Sequence, residues 1–202
     1  MGDSPPGNDL LALVRRRGTI TAAGAAKAGI HSQQITRLVK DGTLERVARG
    51  NYRLAEKPVT EHHGLVVAAL AAPHGVICLL SALAFHGIGT QLPAEVWVAI
   101  ERRARRPAAR EVPLRIVRFG GIAFTESVER HRIEGATVRV YSLPKTLADL
   151  FKYRNTVGLD VALEALREAW RERRFSMESL DRAAQVCRVG RVMRPYVEAL
   201  VS

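Results

Sequence analysis

The chain has 202 residues, with 31 Lys and Arg against 20 Asp and Glu, for a formal net charge of +11. A surplus of that size favours a polyanionic partner over an acidic small substrate, and a hydrophobic share of 47% is enough to build cores in two small domains or one larger one. The two cysteines, Cys78 and Cys187, lie far apart in apolar surroundings and read as reduced, buried thiols; a disulfide framework and a cysteine metal site are excluded.

Leu10, Leu11, Leu13 and Val14 share an apolar face, so a first helix is expected over 9–17, capped by Asn8 or Asp9 and closed by Arg15, Arg16, Arg17 and Gly18. The small residues Ala22, Ala23, Ala25, Ala26 and Ala28 form a second helix that a neighbour can approach closely, and Gly29-Ile30 supplies a turn. Ser32 is the expected N-cap of a third helix over 33–40, with Ile35, Leu38 and Val39 facing inward. Gln33, Gln34, Thr36, Arg37 and Lys40 then face outward. Those side chains suit a helix in the major groove, where Gln pairs with adenine, Arg with guanine, and Thr reaches phosphate or a thymine methyl. Asp41-Gly42 ends that helix. Leu44 to Val47 and Tyr52 to Leu54 alternate around Ala48-Arg49-Gly50-Asn51 as a hairpin, with Leu44, Tyr52 and Leu54 inward and Arg46, Arg49 and Arg53 free for phosphate or the minor groove. The expected unit is a winged helix-turn-helix that binds DNA; the bland alternative is a protein-interaction module of the same shape.

A domain boundary is expected after Lys57, dividing a DNA-binding domain over 1–57 from a mixed α+β domain over 58–202 with a helical C-terminal tail. Ten basic and five acidic residues precede that cut, and twenty-one and fifteen follow it, so charge is densest in the shorter part. Beyond it the pattern predicts helices over 60–71 and 81–87 and a buried strand over 96–100. The basic run Arg102, Arg103, Arg105, Arg106 and Arg110 is either a solvated loop or a second phosphate-contacting surface. Further strands are expected over 114–119, around 122–124 and over 136–141, then helices over 144–153, 158–174, 176–187 and 191–201. The N-terminus has no signal-peptide pattern, because its apolar run is interrupted by Arg15, and 76–85 is too short for a membrane span. A cytoplasmic protein without membrane attachment is expected.

Catalytic constellations are weak. His62, His63 and His74 have no carboxylate at ligand spacing and read as solvated or capping residues. Ser81 and His86 lie five apart on one helix, which does not make a nucleophile–base pair. Lys145 and Asp149, at i,i+4, most simply read as a helix-surface ion pair, with a structural contact to the strands as the alternative. A nuclease needs converging Asp, Glu and Lys on adjacent strands, but the 114–119 strand offers only Arg115 and Arg118 beside Glu95 and Glu101. No cofactor, metal or enzymatic activity is expected.

Three blocks, taken in order, resemble a known family. They are Gly29-Ile30 with 46–53 (RVARGNYR), 80–87 (LSALAFHG) and 140–151 (VYSLPKTLADLF). Together they resemble the AbiEi antitoxins, the transcriptional-repressor half of type IV toxin–antitoxin systems. The resemblance implies a winged helix that binds inverted repeats upstream of its own operon. It also implies a second domain that neutralises a nucleotidyltransferase-like toxin without forming a stable complex. At 202 residues the chain is shorter than many relatives, which leaves a stand-alone repressor as the alternative; a nuclease or an adaptor is a more distant one.

Overall fold

The computed structural model describes residues 6–201, with side chains from Leu10 to Leu200. The first helix, α1 (Pro6–Arg17), starts three residues before the expected position, so Asn8 and Asp9 lie within it; their side chains fall outside the described ones. A short strand, β1 (Thr19–Thr21), follows, and Thr21 caps α2 (Ala22–Lys27) by accepting from the Gly24 amide at 2.8 Å. Next come α3 (Ser32–Lys40), β2 (Leu44–Ala48) and β3 (Asn51–Leu54). The three strands pair antiparallel in the order β1-β3-β2, which makes β3 the central strand. Leu10, Val14, Ile20, Ala25, Ile30, Ile35, Leu44 and Leu54 form one buried cluster beneath the helices. Each element here is too short to be stable alone and gains its stability from that shared cluster.

The remaining elements are α4 (His63–Ala71), β4 (Val76–Ile77), α5 (Leu79–Phe85), β5 (Val96–Glu101), β6 (Leu114–Phe119), α6 (Ile122–Thr125), β7 (Val128–Ile133), β8 (Ala136–Tyr141), α7 (Leu143–Lys152), α8 (Arg154–Val157), α9 (Leu159–Arg171), α10 (Met177–Cys187) and α11 (Gly190–Val201). A five-stranded sheet runs β6-β5-β4-β8-β7; β5 is parallel to β6 and antiparallel to β4, and β4 is parallel to β8. The fold is therefore mixed α+β with a helical C-terminal region. The strand expected around 122–124 is instead the short helix α6, entered through Gly121 at φ +57°. The strand is displaced to β7, whose Val-Glu-Arg-His-Arg-Ile sequence keeps its charged residues on an exposed outer strand and so carries little apolar signal.

Two compact units emerge. One contains the chain up to Pro73 together with Pro107–Pro113 and Arg132–Val138; the other contains His74–Arg106, Leu114–His131 and the chain from Arg139 onward. In the first unit α4 packs on β2, because its buried Val66, Val67 and Ala68 need an apolar partner. The two-residue turn Glu134-Gly135 between β7 and β8 also belongs to this unit. A Cβ on Gly18 would lie 2.5 Å from Gly135 Cα and 2.7 Å from Glu134 O, so the two backbones meet at a distance only glycine permits.

In the second unit α7 is almost wholly buried, packed against α5, α9, α10 and α11. The expected surface pair on it is in fact interior. Lys145 and Asp149 are 0% and 1% exposed, and Lys145 Nζ donates to Asp149 Oδ2 at 2.5 Å. The i,i+4 pair forms, but not on the surface: α7 has no solvent face at these positions, and Lys145 instead meets the strand residues Phe119 and Tyr141, as the alternative reading has it. Cys187 Sγ donates to the other carboxylate oxygen at 3.1 Å. Burial raises Asp149 above the ordinary carboxylate range despite Lys145, and burial pushes the Cys187 thiol up to about 12.

Candidate nucleic-acid interface

Helix α3 begins after His31, which occupies the cap position without a side-chain hydrogen bond. Ser32 is therefore the first helical residue and not the cap, because His31 already has the extended backbone a cap requires (φ −71°, ψ 144°). Ser32, Gln33, Thr36, Arg37 and Lys40 are all exposed. Positions 33, 36, 37 and 40 follow the i, i+3, i+4, i+7 rule and so form one face. The first turn of α3 carries no acidic residue, which leaves its positive end open to an anion. Thr36 Oγ1 donates back to Ser32 O at 3.1 Å.

Two residues of α3 depart from expectation. Gln34 is half-buried, and its Oε1 is buried without a hydrogen-bond partner, because its position falls at the edge of the Ile35 contact and not on the outward row. Val39, expected to face inward, is 36% exposed: the buried side of this nine-residue helix is narrow and is filled by Ile35 with Leu38 beside it. Asp41 ends the helix, and its carboxylate accepts from the Thr43 amide at 3.0 Å. The Thr43 hydroxyl and then its amide hold that carboxyl below the ordinary range.

The hairpin separates its arginines sharply. Arg46 and Arg49 are exposed, with Arg49 in the two-residue turn beside Gly50 at φ +72°. The turn is braced on both sides: Asn51 Nδ2 donates to Arg49 O at 3.1 Å, and the Ala22 amide donates to Gly50 O at 2.8 Å. Arg46 Nε donates to Ala48 O at 3.4 Å across a bulge at Val47. Arg53, expected to be free, is 5% exposed. It sits opposite Glu45 in the register, its Nε donates to that carboxylate, and its Nη1 donates to Lys57 O at 2.9 Å. It is a strand-locking ion pair because its counter-charge lies directly across the ladder.

Residues 8–55 match the AbiEi family, described as antitoxins and transcriptional regulators. The AbiEi match runs from within α1 to just past β3 and includes every residue of the exposed α3 row and both exposed hairpin arginines. No curated protein matches the chain.

Outside the AbiEi match, Arg102, Arg103, Arg105 and Arg106 are all exposed. The loop that begins this run is shaped by Arg118, whose Nη1 donates to Arg102 O at 2.7 Å and Ala104 O at 2.9 Å. The carboxylates considered for a nuclease are engaged elsewhere. Glu95 lies 4.0 Å from Arg115, which stacks over Trp97, and Glu101 accepts from the Arg103 amide at 2.7 Å. Ser81 Oγ accepts from the Trp97 amide at 2.9 Å, and His86 Nε2 donates to Tyr141 O at 2.8 Å. Burial holds His86 below its ordinary value. His63 Nδ1 donates to Glu134 at 2.7 Å. Among the described residues no group of three His, Cys, Asp or Glu is placed to hold a metal ion, and no helix is long and apolar enough to cross a membrane.

Sequence reasoning also passed over a set of cations. Arg15, Arg16 and Arg17 line a cleft of about 250 Å³ with Arg53, Lys57 and Arg132. Its sequence signal is the run Arg15-Arg16-Arg17, which a favourable helix end alone also accounts for.

Proposed function

We propose that α1 to β3 form a winged helix-turn-helix, and that this chain is a cytoplasmic DNA-binding repressor that also acts as an antitoxin. The observation that carries the DNA half is the exposed row Gln33, Thr36, Arg37 and Lys40 on α3, accompanied by Arg46 and Arg49 on the hairpin. Gln33 and Arg37 read base edges, with Ser32 and Thr36 beside them; Lys40, Arg46 and Arg49 hold phosphates. Gln34 contributes only if its amide swings out, and Arg53 supports the hairpin from within. Arg102, Arg103, Arg105 and Arg106 provide a second phosphate-contacting surface.

The antitoxin half rests on the family description and on the resemblance: residues 58–202 oppose a nucleotidyltransferase-like toxin, and the N-terminal part represses the shared operon through inverted repeats. A second reading is a stand-alone regulator without a toxin, which the exposed row on α3 supports equally well.

The test is a fluorescence-anisotropy titration of the full chain against its own upstream DNA, with scrambled duplex as competitor and salt varied. Specific binding is expected to weaken steeply with salt, and Arg37→Ala to cost about 1–3 kcal/mol of discrimination at one base position. Equal affinity for upstream and scrambled DNA, or unchanged preference in Arg37→Ala, would refute the assignment of α3. Rescue of growth from a co-expressed neighbouring toxin separates antitoxin from stand-alone regulator.

A further inference from the structure

We infer that the cleft at the end of α1 is an oxyanion site for a compact polyphosphate, such as pyrophosphate or the phosphate chain of a nucleotide. Six cationic side chains, Arg15, Arg16, Arg17, Arg53, Lys57 and Arg132, line it, and Glu134 is the one carboxylate among its lining residues. Glu134 is already committed, since it accepts from the Thr60 amide at 2.8 Å, the Thr60 hydroxyl at 3.0 Å and His63 Nδ1 at 2.7 Å. The cleft therefore concentrates positive charge with no free counter-ion of its own among the described residues.

The negative end of α1 does not oppose an anion here, because it is already covered. Lys57 Nζ donates to Arg15 O at 3.4 Å and Arg132 Nη2 donates to Arg17 O at 3.2 Å, so cations stand over the terminal carbonyls. These same bonds hold the ammonium and guanidinium in place while leaving further N–H groups for a ligand. Arg53 adds a guanidinium that is 6% exposed and fixed by Glu45. A site of this kind suits several closely spaced phosphoryl oxygens, with charge-assisted hydrogen bonds from Arg and a point charge from Lys.

A phosphate of the DNA backbone has the same chemistry. The geometry points to a free ligand instead. The cleft is concave, Arg53 is recessed, and in the β1–β3 ladder Arg53 lies opposite Thr19 whereas Asn51, next to the hairpin turn, lies opposite Thr21. The site is thus displaced about 7 Å along the strand from the turn that presents Arg49. It is also independent of whether α3 binds DNA.

Calorimetric titration of the full chain with inorganic pyrophosphate, at about 50 mM and about 150 mM salt, tests the inference. One saturable site per chain is expected. Arg132→Gln and Arg17→Gln, both exposed side chains, should each weaken it about tenfold, the loss of one charge-assisted hydrogen bond, and Arg37→Ala should leave it unchanged. Thermal melts of each variant separate lost binding from lost fold. Absence of saturable heat, or an equal loss in Arg37→Ala, overturns the site. A short duplex of unrelated sequence that displaces pyrophosphate equally from wild type and Arg37→Ala overturns the free-ligand assignment and makes the cleft a DNA-phosphate contact.

Discussion

Lys145→Met isolates the energetics of the buried pair in α7. The substitution keeps the length and volume of the side chain but removes the ammonium that donates to Asp149 at 2.5 Å and lies 4.2 Å and 4.8 Å from the Tyr141 and Phe119 rings. Asp149 would then keep only the weak Cys187 donor in an interior where it is 1% exposed. Breaking a buried pair from one side costs about 3–5 kcal/mol, which for a unit of this size lowers the midpoint by roughly 10–20 °C. Both tryptophans, Trp97 and Trp170, lie in the second unit, so their fluorescence follows its unfolding selectively. The penalty should shrink as pH falls towards the ordinary Asp value of 3.8, since protonation neutralises the stranded carboxylate. The double variant Lys145→Met, Asp149→Leu removes both charges and should recover most of the loss. A single variant within about 1 kcal/mol of wild type, or a double variant as unstable as the single, would refute the argument.

Arg49→Gln and Arg53→Gln should separate by assay: the exposed residue flattens the salt dependence of DNA binding by about one charge, whereas the buried one lowers the melting point of the first unit and leaves the salt slope alone. A flattened slope in Arg53→Gln would show that its pairing with Glu45 opens on DNA. For Glu134, burial raises the carboxyl, but the Thr60 amide, His63 and the Thr60 hydroxyl together hold it below its ordinary value of 4.5. Its contribution is therefore present above that pH and is lost as pH falls through the lower folded value. Melting points of wild type and Glu134→Gln should converge in acid and separate towards neutrality; parallel curves would remove Glu134 as the titrating group. Gly18→Ala should destabilise the first unit by about 2 kcal/mol or more, because the φ of +83° and the 2.5 Å approach to Gly135 Cα both resist a methyl group. A melt unchanged from wild type would mean the turns separate without cost.

The N-terminal elements were legible because each has a local cause. Ile35 and its neighbours set the face of α3, and Arg49-Gly50 sets the turn. What failed depended on partners distant in sequence. Alternation alone placed Arg53 outward, but Glu45 across the ladder and Lys57 O beyond the strand draw it inward. Lys145 and Asp149 look like any helix-surface pair until the neighbouring helices and the Tyr141 and Phe119 rings of the strands close around them. β7 went unseen because a strand with four consecutive charged or titratable residues has the composition of a loop, and its pairing with β8 supplies what its own sequence lacks.

The turn at Glu134-Gly135 has a consequence for synthesis. It supplies the first unit with the backbone that abuts Gly18, the carboxylate that orders Thr60 and His63, and the guanidinium over the end of α1. None of these exists when Pro73 leaves the ribosome. At about 5–20 residues per second, some 3–13 s separate the translation of Pro73 from that of Val138. During that interval the residues of α1 to β3 lack these partners, which become available to them only once Val138 has been made.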